Sequence, residues 1–180
     1  MDSLLWCLTR ATGIVASLLA VASLVFGLFF SSRNTGSRQR PNWWLALHNY
    51  LGGLTLAFIA LHMLVSFLDT DSGLRFLDLF VPNDEVGWGI GWGVLAAWLF
   101  AIVVLSSIAR VRRRLPRKVW HVVHLLALPA VVLTGVHAYQ SGSDWASNYF
   151  TTGLAVLTGV AIYPIVIRLL GLAHQRRATA

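Results

Sequence analysis

His48 and His62 lie fourteen residues apart, and His124 and His137 lie thirteen apart, in a chain of 180 residues with six histidines. Imidazole is an ordinary ligand of metal ions and of haem iron. On helices rising 1.5 Å per residue, these spacings separate the members of each set by about 21 Å and about 20 Å. If the two helices run the same way, His48 and His124 share one depth and His62 and His137 another. Two such pairs suit two haems, each held between two histidines. A single histidine of this kind is more often a neutral side chain bonded to a neighbouring helix, but two matched pairs favour a cofactor. Thirteen residues rotate about 220°, so His124 and His137 would not share a face of a straight helix. Pro129 lies between them and permits a kink. Gly52, near His48, and Gly135, near His137, would let a flat macrocycle approach, although glycine is also a common helix-packing residue.

The elements that carry these residues are membrane spans. Apolar residues make up 57% of the chain and charged residues 12%, against about a quarter charged in an ordinary soluble domain. The mean hydropathy is +0.68. A membrane helix needs about 20 mostly apolar residues, and five stretches qualify: 11–30, 45–68, 86–109, 119–140 and 149–167. They are too long, and too uniformly apolar, for membrane strands. The expected fold is therefore all-α, a bundle of five transmembrane helices forming one domain over 1–180. The leader 1–9 has no Lys or Arg, and the first apolar run is longer than a signal peptide's, so it is expected to stay as a helix. The one cysteine, Cys7, excludes an intrachain disulfide, an iron–sulfur cluster and a C-x-x-C-H haem attachment.

The loops give an orientation. Arg33, Arg38 and Arg40, then Arg110, Arg112, Arg113, Arg114, Arg117 and Lys118, then Arg168, Arg176 and Arg177 all fall on one side. The other side holds Arg10, Arg75 and all seven acids. The positive-inside rule then places the N-terminus outside and the C-terminus in the cytoplasm. The same asymmetry accounts for most of the net charge of +7 without any nucleic acid. Tryptophans cluster at the span ends, as in an aromatic belt, except Trp98 near mid-membrane.

These segments resemble the ferric-reductase-like transmembrane domain superfamily, the membrane haem domain of NADPH oxidases, ferric reductases and the bacterial methionine sulfoxide reductase haem subunit. The first span reads R-A-T-G-I-V-A-S-L-L from Arg10. The second reads L-H-N-Y-L-G-G-L through A-L-H, ending at His62. The fourth reads P-R-K-V-W-H-V-V-H-L-L through G-V-H-A-Y-Q-S-G-S-D, from Pro116 to Asp144. The resemblance implies two b-type haems, with iron held by His48 and His124 on the inner side and by His62 and His137 on the outer side. Where the family has W-R-x-x-H, this chain has Trp120-His121-Val122-Val123-His124. His121 would bond an inner-haem propionate, or compete as a ligand; Arg117 is a second inner propionate partner and Arg10 an outer one. For Arg10, Arg117 and Lys118 the plainer reading is snorkelling at the interface. His174 falls in the polar tail, where no specific role is expected.

The function implied is a cytochrome b in a bacterial cytoplasmic membrane, passing electrons from a cytoplasmic donor to an external acceptor. No catalytic residue is assigned. The family's flavin- and nicotinamide-binding domain has no counterpart here, so the donor would be a cytoplasmic flavoprotein reductase or a membrane quinol, and any flavin would belong to that partner. The acceptor would be a small molecule, a metal or a protein outside. Trp98 would assist transfer or simply pack. The outer acids would attract ferric ions or merely complete the charge asymmetry. Three other readings stay open: a metal-ion transporter using the histidines, a quinone-linked dihaem anchor subunit, and a membrane subunit whose histidines only pack. The predicted span interiors hold no Asp, Glu, Lys or Arg, which counts against a transporter.

Overall fold

The computed structural model describes residues 3–32, 42–142 and 146–178. Among them there are helices and turns and no strand. Backbone polar groups have no water to bond in hydrocarbon, so an apolar chain closes its hydrogen bonds within helices. The long helices are α1 (Ser3–Ser32), α2 (Asn42–Leu68), α3 (Trp88–Ser107), the pair α5 (Arg117–Leu125) and α6 (Ala127–Ser141), and α7 (Asn148–Ala178). A short α4 (Ala109–Arg112) links α3 to α5. Five stretches are long and apolar enough to cross a membrane: Leu4–Ser31, Trp43–Leu68, Trp88–Ser107, Arg117–Ser141 and Asn148–Gly171. The expected five-span, all-helical fold is observed.

Two boundaries differ by more than three residues from expectation. The leader is already helical from Ser3, since residues 3–9 contain no glycine or proline to break it. The last helix runs past 167 to Ala178 and carries Pro164 in its interior. Arg33, Arg38, Arg40, Asp2, Asp144 and Trp145 lie outside the described residues, as do the side chains of His174, Arg176 and Arg177.

The fourth span is two helices, not one. Leu126 N–H reaches back only three residues, to Val123 O at 3.1 Å, so the ladder tightens for one turn. The cause is Pro129, which has no N–H for Leu125 O and whose ring crowds that carbonyl. The break falls between His124 and His137 and removes the straight-helix objection to their facing the same neighbour.

α1 packs mainly on α2, and α3 mainly on α6. Ala20, Phe100 and Ala130 meet in a buried cluster, with Ile59, Leu99 and Val131 packed around it. The basic residues 110–118 gather at one end. At the same end, Arg168 of α7 hydrogen-bonds Ser31 of α1. The opposite end carries the segment between α2 and α3, with two 3-10 turns at Thr70–Ser72 and Phe76–Leu79. Gly87 starts α3 with φ of 82°, a left-handed conformation that glycine adopts without strain.

Candidate functional site

The helices bring the four histidines together as two pairs. His48 of α2 faces His124 of α5, with ring centroids 5.8 Å apart and planes at 72°. His62 of α2 faces His137 of α6, at 6.1 Å and 76°. An imidazole nitrogen lies about 1.1 Å from its ring centroid, and a metal–imidazole bond is about 2.0–2.1 Å, so two histidines facing across one ion hold their centroids about 6.3 Å apart. Both pairs are within half an ångström of that separation.

Each ring is held from behind through Nδ1. His62 Nδ1 donates to Thr9 O at 2.9 Å, and His137 Nδ1 donates to Gly89 O at 2.9 Å. His48 Nδ1 donates to Ser23 O at 2.9 Å, with Ser23 Oγ also at 3.2 Å. A carbonyl only accepts, so these three rings carry the proton on Nδ1 and keep the Nε2 lone pair for a ligand bond. His124 differs, since its Nδ1 meets a hydroxyl, Ser107 Oγ, at 3.2 Å. Ser107 Oγ–H is already committed to Val103 O at 2.7 Å, so it accepts from His124 and selects the same tautomer. A metal-ligating histidine ordinarily donates its second ring N–H in this way, which fixes its orientation and raises its basicity.

Three rings also lie on bare helix backbone. A Cβ at Gly93 would stand 2.7 Å from His137 Nδ1, one at Gly27 2.9 Å from His48 Cε1, and one at Gly13 3.1 Å from His62 Cε1. Only glycine leaves room for those rings where they stand. The sequence reading named Gly52 and Gly135 instead. At Gly52 a Cβ would meet only Ser23 Oγ, at 3.7 Å, and at Gly135 it would meet nothing within 4 Å. The missed signal was the spacing: Gly13 and Gly27 are fourteen apart, as His48 and His62 are, on neighbouring helices that run in opposite directions. Ser23 and Ser107 were missed as well, because a serine in an apolar helix commonly bonds its own turn.

His124 has an indole wall in place of a glycine. Trp120 stacks on it at 4.7 Å between centroids and 22° between planes. The Arg112 guanidinium lies 3.8 Å from the centroid of the Trp120 ring. His121 is exposed, 6.4 Å from Trp120 between centroids, and it is His124 that stands opposite His48. Arg117 is exposed at the start of α5. Arg10 lies next to Thr9 in α1, with its guanidinium 4.2 Å from the Trp6 ring centroid. Two buried side-chain polar atoms among the described residues have no hydrogen-bond partner, Thr9 Oγ1 and Trp120 Nε1. One belongs to the residue that holds His62 and the other to the residue stacked on His124. Trp98 is not between the pairs: its Nε1 donates to Phe80 O at 2.9 Å, at the edge of the bundle.

Among the described residues no three His, Cys, Asp or Glu side chains converge. Sites made of two facing imidazoles are too few in ligands for a bare protein-bound metal ion. They fit a metal whose other ligands come with a planar cofactor.

Fold and site together define a multi-pass membrane protein with paired intramembrane histidines. Residues 13–135 match the family described as ferric reductase like transmembrane component. The chain belongs to that family, whose members bind haem and which is associated with electron transfer in membranes. Comparison with curated proteins gives no match.

Proposed function

We propose that residues 1–180 act as a single haem domain, a b-type cytochrome that carries electrons across a cytoplasmic membrane. His48 and His124 would hold an inner haem, and His62 and His137 an outer one. Haem bound there would supply a one-electron iron couple at each level. The observation that carries this reading is the matched state of the four rings: each is tied through Nδ1, and the rings face in pairs at 5.8 and 6.1 Å.

The remaining residues have roles that follow from their positions. Ala20, Phe100 and Ala130 fill the layer between the two pairs and keep it free of water. Phe100 lies midway along α3 between Gly93, against His137, and Ser107, against His124, so it takes the central place considered for Trp98. Thr9 Oγ1 and Trp120 Nε1 are free to bond the carboxylates of a bound haem; an indole N–H can only donate. Arg10 on the outer side, and Arg117 and His121 on the inner side, supply further donors to the same groups. The arginine-rich end is assigned to the cytoplasm by the positive-inside rule. There Arg110, Arg112, Arg113, Arg114, Arg117 and Lys118 form a surface suited to an acidic flavoprotein donor, with a membrane quinol as the alternative source. The acceptor lies on the acidic side. A transported metal ion would require further protein ligands at each level, and the two-histidine sets favour haem over that use.

The test is electron transfer across sealed proteoliposomes, with haem-loaded protein, dithionite outside and ferricyanide trapped inside. The proposal expects protein-dependent reduction of the trapped ferricyanide, lost in His62→Ala and in His124→Ala. Reduction no faster than in protein-free vesicles would overturn it.

A further inference from the structure

The segment joining α2 to α3 is expected, as a connection outside the spans, to lie in water, yet it enters the bundle. Trp98 is ten residues into α3, about 15 Å along its axis from Trp88. Its side chain leans toward the start of the helix, and its Nε1 bonds Phe80 O at 2.9 Å. Leu79 and Phe80 line one apolar cavity with Ile59 and Met63 of α2 and Val94 of α3. Ile59 and Met63 bracket His62, and Val94 follows the Gly93 that backs His137. Residues 79–80 therefore sit at the depth of the outer histidine pair.

Irregular backbone at that depth is tolerated only where its polar groups are satisfied by protein. Here they are. Leu77 O accepts from Phe80 N–H and Val81 N–H, at 3.0 and 2.9 Å. The Asp78 carboxylate, 1% exposed, accepts from Arg75 N, Nε and Nη2 and from Asn83 Nδ2, at 2.8 to 3.3 Å. Arg75 also pairs with exposed Glu85 at 2.7 Å. Within 74–82 the one cation, Arg75, is thus paired with the one carboxylate, Asp78, while Phe76, Leu77 and Val81 turn outward, 60%, 68% and 55% exposed. A loop in water would place its charges out and its large apolar residues in.

We infer that residues 74–82 form a re-entrant wedge that inserts into the leaflet at the acidic end, closes the gap between α2 and α3 beside His62, and presents Phe76, Leu77 and Val81 to lipid acyl chains. The Arg75–Glu85 pair marks its aqueous rim. The inference is independent of any bound cofactor.

Nitroxide labels in a Cys7→Ser background, in nanodiscs, test it. Leu77→Cys and Val81→Cys are compared with Thr70→Cys as the aqueous reference and Ile102→Cys as the lipid reference. The ratio of oxygen to nickel-chelate accessibility at both wedge positions is expected to match Ile102 and to exceed Thr70 several-fold. Ratios closer to Thr70 at either position would overturn the inference, and would leave this apolar patch as a docking face for an external protein.

Discussion

The His62–His137 pair, proposed as the outer one, and the His48–His124 pair, proposed as the inner one, are built from different materials. In the outer pair the Nδ1 bonds and the glycine contacts are all to backbone: His62 and His137 donate to the carbonyls of Thr9 and Gly89, and their rings lie on Gly13 and Gly93. In the inner pair His48 follows that pattern in part, with Ser23 O and Gly27, but Ser23 Oγ also approaches its Nδ1 at 3.2 Å. His124 instead rests on side chains, Ser107 Oγ and the Trp120 ring, with Arg112 beyond. Backbone contacts hold a ring in place and leave little for substitution to tune. Side-chain contacts can be exchanged, and these lie beneath the arginine-rich surface where a donor would dock. The outer site is thus built for constancy and the inner site for adjustment.

Loss of a ligand gives the largest effect. His62→Ala or His137→Ala is expected to remove the outer haem and leave the inner one; His48→Ala or His124→Ala should do the reverse. Haem content would fall from two to one per chain by pyridine haemochrome. Loss of both haems from each single variant would show that the pairs are not independent sites.

The glycines come next. Gly93→Ala and Gly27→Ala place a Cβ under 3.0 Å from a ring that its hydrogen bond prevents from retreating. Overpacking of this kind costs about 1–3 kcal/mol, and weakened haem retention is expected at the outer and inner site respectively. Gly13→Ala, at 3.1 Å, should cost less. Equal and negligible effects on haem retention would remove backbone contact as the basis of the comparison.

Tuning should be confined to the inner pair. Trp120→Leu and Ser107→Ala are expected to shift the inner haem's midpoint potential and its low-spin electron paramagnetic resonance signal, with Trp120→Phe restoring much of the latter. The outer haem should not respond. A matching shift at the outer haem would break the distinction.

The smallest effect is in the outer segment. Arg75 hydrogen bonds hold the Asp78 carboxyl down to about 2, from 3.8. A folded pKa below the unfolded one means that its stabilisation is complete above about pH 4 and is lost as pH falls through 2. The mobility of a label at Leu77 should stay constant from pH 7 to about 4 and then rise. In Asp78→Asn that acid transition should be absent.

The sequence displayed much of this and hid a definite part. Span number and the histidine pairing were legible because run length and spacing along one helix are one-dimensional properties. The break at Leu126 was half legible, since Pro129 announces a disruption but the displaced turn lies at its i−4 carbonyl. Gly13, Gly27 and Gly93 were not legible, because each acts on a ring carried by another helix and only the packing register connects them. Trp98 offered either a transfer role or plain packing, and its actual partner was hidden because nothing in its own helix reveals that Phe80 folds down to meet it.

The most direct test of the central claim is the absorption spectrum of the purified protein in detergent, oxidised and then dithionite-reduced, with a haemochrome count, after expression with ample haem. The account predicts two b-type haems per chain with low-spin, bis-histidine spectra. A colourless protein would contradict it.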